Sequence, residues 1–348
     1  MRWCNKFLLY FKLFKPYRII NALSIYRKDG WDGIKYHFGL VLDKEKGLRE
    51  SGTRTYDMLP ICNYEAIRLA DPIVFENNIN PIVSVIVPVY NKFEYTYNCL
   101  LALKKYLGNI TYEIIVADDC STDMTSEIET VVKGIRVIHN KKNFQFLVNC
   151  NSAAKEAKGK YIYFLNNDTQ IQKGCVESLV KLLEANSKIG LIGSKLIYPT
   201  GLVQEAGGIV WKDAAVLQFG NGRQTGEAEL NYVRETDYIS GASMMIRSDL
   251  WKLIGGFDKR FIPAYYEDVD LAFEVRKRGF SVIYQPESEV IHFEGVTESI
   301  NADKKKLIEQ NKMEFQNKWQ DELHEFHYKS TEYLMYVKRM KQYRNLHY

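Results

Sequence analysis

The chain has 348 residues, 46% of them hydrophobic and 26% charged, with a formal net charge of +4. This balance excludes a membrane-spanning or disordered chain, allows one large domain with appendages or two domains, and lacks the basic stripe that a nucleic-acid partner demands. Six cysteines (Cys4, Cys62, Cys99, Cys120, Cys150, Cys175) stand singly with no C-x-x-C pair, which removes the main support for zinc-ribbon and disulfide-framework readings and points to a reducing cytosol.

From Met1 to Ile25, Lys6, Lys12, Lys15 and Arg18 interrupt the apolar residues every few positions, too often for a signal peptide or a spanning helix. Two readings stand side by side: an amphipathic helix on an anionic membrane, with Trp3, Phe7, Leu8, Phe11 and Phe14 inserted, or a helix packed on protein and broken at Pro16. Residues 27–80 show turns and no chemistry. At Pro81 the run I-V-S-V-I-V-P-V-Y opens an α/β region with a strand buried on both faces. A helix over Phe93 to Leu107, a strand over Tyr112 to Ala117, a polar turn at 118–123 and a helix over Met124 to Lys133 follow. A strand from Ile135 to His139, a helix from Asn149 to Ala157 and a strand from Lys160 to Leu165 complete the series, whose alternation argues for a mainly parallel sheet with helices on both faces. Past residue 170 the alternation weakens, which predicts more irregular or antiparallel structure. The tail from Asn301 reads as helical, with Leu307, Phe315 and Trp319 as apolar contacts.

Open α/β sheets bind ligands at the carboxyl ends of their strands, so the polar residues found there carry most weight. Three sets qualify: Pro88-Val89-Tyr90-Asn91, Asp118-Asp119 and Asn166-Asn167-Asp168. Neither G-x-x-x-x-G-K-[ST] nor G-x-G-x-x-G follows the first strand, so a nucleotide would be held by carboxylates, one accepting from base or ribose and one holding a divalent ion on the diphosphate. Helix capping and ordinary strand-ending turns are the structural alternatives for these residues.

Taken together the motifs resemble those of inverting nucleotide-sugar glycosyltransferases of family 2, which have the GT-A fold, in particular those that build bacterial surface polysaccharides. Val83 to Asn91 is similar to the opening strand, Ile115 to Asp123 to the nucleotide-binding turn, Leu165 to Thr169 to the D-x-D position in its N-x-D form, Tyr266 to Leu271 to the E-D motif, and Val290 to Gly295 to the later histidine segment. The resemblance runs from about Pro81 to Gly295 and implies a mixed, mainly parallel sheet flanked by helices. Residues 81–300 would form the catalytic domain, with 81–170 as its nucleotide-binding half and 171–300 as its acceptor half. Residues 1–80 and 301–348 would be helical extensions.

The resemblance also implies roles. Asp118 would bind base or ribose; Pro88, Val89, Tyr90, Asn91, Asn143, Asn151, Asn166 and Asn167 would line the donor pocket. Asp168 would hold Mn²⁺ or Mg²⁺ on the diphosphate, and His292 would be a second ligand, a diphosphate contact or a satisfied core histidine. An imidazole ligand favours manganese. Asp268 would take the proton of the acceptor hydroxyl, Glu267 would hold the acceptor sugar, and Gly241 and Ala242 would let it approach the backbone; helix capping is the other reading of the E-D pair. Two positions depart from the pattern: Gln145 stands where glycine is usual, and Asn166 replaces the first aspartate of D-x-D.

The expected activity is transfer of a sugar from a UDP- or dTDP-activated donor to a growing surface glycan, lipid-linked at the inner face of the membrane. A sugar nucleotidyltransferase and a non-catalytic glycan-binding relative are the alternatives.

Overall fold

The computed structural model describes residues 55–76, 78–293, 302–333 and 336. In chain order it contains α1 (Tyr64–Leu69), β1 (Ile73–Val74), β2 (Val83–Val89), α2 (Phe93–Tyr106), β3 (Tyr112–Asp118), α3 (Ile128–Val131), β4 (Val132–Lys133), β5 (Arg136–His139), α4 (Gln145–Ala153), β6 (Tyr161–Leu165) and β7 (Thr169–Ile171). There follow α5 (Cys175–Ala185), β8 (Ile189–Ile197), β9 (Val203–Glu205), β10 (Gly208–Val210), β11 (Val216–Gln218), β12 (Arg234–Glu235), β13 (Ser243–Arg247), α6 (Ser248–Ile254), α7 (Glu267–Lys277), β14 (Ser281–His292), α8 (Ala302–Lys318) and α9 (Gln320–Phe326).

All seven residues of β2 are buried, because this strand lies between β3 and β6 and carries helices on both faces. Its side chains alternate between two cores. Ile86 packs with Ile115, Leu147 and Phe164 on one face, while Val85 and Val87 pack with Leu100, Val116 and Tyr163 on the other. The main sheet has the order β12-β14-β8-β13-β6-β2-β3-β5, with β7 added to β14 and β9 to β8. The half formed by β6, β2, β3 and β5 is parallel throughout. Beyond it, β13 lies antiparallel between β6 and β8, and β14 returns parallel to β8. The change of strand direction therefore falls at β6/β13, where the first half of the chain meets the second.

Two sequence expectations need correction. The helix expected over Met124 to Lys133 is a 3-10 turn, a single helical turn in α3 and then strand β4. Val131 and Val132 are β-branched, and Val132-Lys133 pairs with β1, so strand pairing wins over helix there. The helix expected from Asn149 begins at Gln145 and gives way to a 3-10 turn at Ala154. Of the expected extensions, residues 1–54, 77, 301, 334–335 and 337–348 lie outside the described residues, as do 294–300 of the expected catalytic domain. Residues 55–63 run without helix and are tied down by side chains: the Leu59 N–H donates to Gln170 Oε1 at 2.8 Å, the Asp57 N–H to Gln172 Oε1 at 3.1 Å and the Cys62 N–H to Asn98 Oδ1 at 3.0 Å. Helices α8 and α9 pack on α7. Phe315 and Trp319 are buried, with ring centroids 4.9 and 5.3 Å from that of Phe273, and each is worth about 1.5–3 kcal/mol in buried apolar surface. Leu307 is half-buried. Among the described residues no helix is long and apolar enough to cross a membrane.

Candidate active site

The strand-end residues converge at one edge of the sheet. Asp118 closes β3 and is buried; its Oδ1 accepts from the Ser121 N–H at 2.9 Å, and its Oδ2 lies 2.8 Å from His139 Nδ1 at the end of β5. Asp119 accepts from the Phe144 N–H at 2.8 Å and from Asn140 Nδ2 at 2.9 Å, which fixes the loop leading into α4. Pro88 and Val89 are buried within β2, whereas Tyr90 is 43% exposed at the strand's mouth. Asn91 holds the neighbouring turn: its N–H donates to Ser121 Oγ at 2.8 Å and its Oδ1 accepts from the Thr122 N–H at 2.8 Å.

Backbone strain gathers around these loops. Among the described residues seven non-glycine residues adopt positive φ, and all but Ala214 lie here: Asn91, Lys92, Cys120, Gln145, Tyr265 and Tyr266. Gln145 has φ 68°, a left-handed conformation that explains why glycine is usual at this position. Asn143 holds it there, its Oδ1 accepting from the Gln145 N–H at 2.8 Å.

Besides Asn91, three of the asparagines assigned to the donor pocket are engaged with the protein. Asn143 makes the turn just described. Asn151 binds the Phe257 backbone in both directions, donating to its carbonyl at 2.9 Å and accepting from its N–H at 2.8 Å, so its amide braces α4 against the loop before α7. Asn167 is buried and donates to Thr96 Oγ1 at 2.9 Å. Asn166 behaves differently. Its backbone N–H donates to the Ala242 carbonyl at 3.0 Å, and its buried Oδ1 has no partner among the described residues. The first half of the chain thus meets the Gly241-Ala242 segment directly.

Asp168 and His292 come together across β7 and β14, with His292 Nε2 3.3 Å from Asp168 Oδ1 and both residues buried. Gln204 Oε1 lies 2.9 Å from His292 Nδ1. An amide oxygen accepts only, so Nδ1 carries a proton and Nε2 is the ring atom that faces the carboxylate, a pair between which a shared cation would fit. Oxygen and imidazole donors fit Mn²⁺ or Mg²⁺, with manganese favoured by the imidazole. Among the described residues no three His, Cys, Asp or Glu side chains form a metal-binding group, so this pair would supply two ligands.

Glu267 and Asp268 begin α7. Asp268 Oδ2 accepts from the Gly241 N–H at 2.9 Å and Oδ1 from its neighbour Val269 at 2.8 Å. Glu267 is buried, and its Oε2 has no partner among the described residues. Burial pushes the Glu267 carboxyl well above the ordinary glutamate range, and the charge of Asp268 adds to the shift. Burial raises Asp268 as well, partly offset by the backbone N–H groups that it accepts. A Cβ placed on Gly241 would lie 3.8 Å from Asp268 Oδ2 and 3.9 Å from Glu267 Oε1, so Gly241 faces both carboxylates. Of the two aspartates that could cap α7, Asp268 accepts the first-turn N–H of Val269 as well as that of Gly241, whereas Asp270 turns away to Lys318 and Trp319; Tyr266, the residue before the helix, makes no side-chain cap.

Sequence reasoning missed His139, Gln204, Glu205 and Ser240. His139 closes a strand at the same edge, and the strand-end rule that singled out Asp118 applies to it. Gln204 and Glu205 carry no comparable signal, because β9 is three residues long and only the sheet topology brings it to His292.

The geometry, a parallel nucleotide-type half joined at a change of strand direction to a half that carries paired carboxylates, is that of the GT-A fold. Residues 84–254 match the family model described as glycosyl transferase family 2, so this segment is similar to that family. The O-antigen biosynthesis protein RfbC of Myxococcus xanthus is 28% identical over 44% of this chain and 12% of its own length. The poly(ribitol-phosphate) beta-N-acetylglucosaminyltransferase TarS of Staphylococcus aureus (strain Mu50 / ATCC 700699) is 33% identical over 35% of this chain and 22% of its own length. The chain therefore spans less than a quarter of either relative. Among solved structures, GalNAc-T7 with UDP, GalNAc and Mn²⁺ superposes with a TM-score of 0.50 at 14% identity, covering 77% of this chain and 55% of that one, a likeness of fold.

Proposed function

We propose that this chain is an inverting glycosyltransferase that moves a sugar from a UDP- or dTDP-activated donor to a hydroxyl of a growing bacterial surface glycan. The acceptor is lipid-linked at the cytoplasmic face of the membrane. The observation that carries the reading is the run of contacts from Asp268 through Gly241 and Ala242 to Asn166, which puts a carboxylate pair beside the motif that would face the diphosphate.

In this mechanism Asp118, kept in place by His139 and the Ser121 N–H, accepts from the donor's base or ribose, and the exposed ring of Tyr90 flanks the same pocket. Asp168 and His292 would hold Mn²⁺ or Mg²⁺, which supplies Lewis-acid neutralisation of the departing diphosphate. Glu267, with its unpartnered Oε2, binds a hydroxyl of the acceptor sugar and holds it in line. Asp268 removes the proton from the attacking hydroxyl as that oxygen bonds to the anomeric carbon on the face opposite the nucleotide; the bond from that carbon to the diphosphate oxygen breaks, and configuration inverts. Its raised proton affinity suits a base that works near neutral pH.

The printed names of the relatives, an O-antigen protein and a poly(ribitol-phosphate) glycosyltransferase, support a surface polymer as acceptor. The family match speaks against a nucleotidyltransferase. The test is to incubate purified protein with a panel of nucleotide sugars and Mn²⁺ and to record donor hydrolysis and melting temperature. One donor should raise the melting temperature and be hydrolysed, and chelator or Asp168→Ala should abolish both effects. A panel that neither binds nor reacts would overturn the proposal in favour of a non-catalytic glycan-binding relative.

A further inference from the structure

The short strand β9 reaches both halves of the candidate centre. Leu196 pairs with Glu205 and Ile197 with Val203, so Gln204 is the extra residue of a β-bulge, a device that bends a strand and re-aims a side chain. Gln204 is 2% exposed, and its Oε1 takes the Nδ1–H of His292 at 2.9 Å. Without that acceptor the imidazole is free to carry its proton on Nε2 and donate it to Asp168, 3.3 Å away, which would close the pair of atoms proposed to share a cation. The next residue serves the other half. Glu205 is 1% exposed; its Oε1 accepts from the Ser240 N–H at 3.1 Å and its Oε2 from the Tyr238 hydroxyl at 3.3 Å. Ser240 precedes Gly241, whose N–H donates to Asp268 at 2.9 Å.

We infer that β9 is the positioning strand of the site. Gln204 holds His292 in the tautomer that can ligate a divalent cation, and Glu205 holds the 240–241 backbone that orients Asp268. The inference rests on the roles proposed above for Asp168, His292 and Asp268. It also makes the two halves separable: Gln204 acts through metal binding, and Glu205 acts through the step at the acceptor hydroxyl.

The experiment combines ¹⁵N-histidine NMR of the metal-free full chain, with His292 assigned by its loss in His292→Gln, with Mn²⁺ titration and steady-state kinetics. Wild type and Gln204→Glu should show the Nδ1–H tautomer, whereas Gln204→Leu should show Nε2–H and bind Mn²⁺ about 10- to 100-fold more weakly. Glu205→Leu should keep Mn²⁺ affinity and donor KM and lose about 10-fold or more in kcat, with Glu205→Gln recovering most of that loss. An Nε2–H tautomer in the wild type, or unchanged tautomer and Mn²⁺ affinity in Gln204→Leu, overturns the role of Gln204. Unchanged kcat in Glu205→Leu overturns that of Glu205; should the leucine variants fail to fold, the wild-type tautomer decides for Gln204, and Glu205→Ala, expected to lose kcat while keeping Mn²⁺ affinity, decides for Glu205. A wild type that shows the expected tautomer but turns over no donor refutes the transferase reading and leaves the tautomer result standing.

Discussion

Glu267 and Asp268 stand side by side at the start of α7, and burial limits how much charge they can hold. Glu267 has a folded-state proton affinity well above its ordinary value of 4.5 because it is buried beside Asp268. The sign follows from linkage: a carboxyl raised in the folded state stabilises relatively at low pH, and that contribution is lost as pH rises from the unfolded value through the folded one. Glu267→Gln, which keeps the shape and removes the charge, should therefore raise the melting temperature at about pH 8, with the gain closing towards about pH 4. A thermal melt series over pH checks this; a gain that is flat with pH would mean that Glu267 is not held against its charge. The same substitution should weaken acceptor binding, so it separates stability from function, a trade common where an active site holds strained or uncompensated groups.

At the scale of elements, α7 is held from behind by the C-terminal helices. Lys318 of α8 lies 2.9 Å from Asp258, 2.8 Å from Asp270 and 3.0 Å from Glu274, and the Trp319 indole N–H donates to Asp270 at 2.7 Å. Burial alone would lower the proton affinity of Lys318, yet the carboxylates outweigh it and hold the ammonium above the usual lysine range. Removing the ammonium leaves Asp270 buried and uncompensated two residues from the proposed base. Lys318→Met should cost about 3 kcal/mol in stability, read by denaturant melts, and lower turnover more than donor affinity. A variant of wild-type stability would show that the three ion pairs are screened and interchangeable. This coupling was only half legible in the sequence. Phe315 and Trp319 stood out as apolar residues in a charged tail, but their partner on α7 is about forty residues away and no periodicity names it. The buried strands were easier, because a strand covered on both faces needs a continuous β-branched run, as 83–89 shows. Short elements were hard: α3, β4 and β9 are set by pairing with distant strands, and the bulge that aims Gln204 depends on register with β8. The motif residues Asp118, Asp168, Asp268 and His292 were legible because their chemistry sits at strand ends and a helix start. The scaffolding roles of Asn143, Asn151 and Asn167 were not, since the same amide that can meet a sugar can equally bind backbone.

For the whole molecule, the proposed lipid-linked acceptor calls for a reason to be near a membrane. Lys6, Lys12, Lys15 and Arg18, interleaved with Phe7, Leu8, Phe11 and Phe14, lie outside the described residues, and their pattern supports a surface-binding helix at about 1 kcal/mol per basic residue. The full chain should co-sediment with anionic vesicles at low salt and be released at high salt, while a chain starting at Arg27 should stay in the supernatant. Equal sedimentation of the two would leave that segment as a packing element.

The central claim is that donor binding and proton abstraction are done by different residues of one centre, and Asp268→Asn tests it most directly. Donor affinity and turnover measured side by side in this variant should show affinity close to wild type and turnover lower by on the order of 10²-fold or more. Turnover that survives the substitution would contradict the assignment of Asp268 as the base on which this account depends.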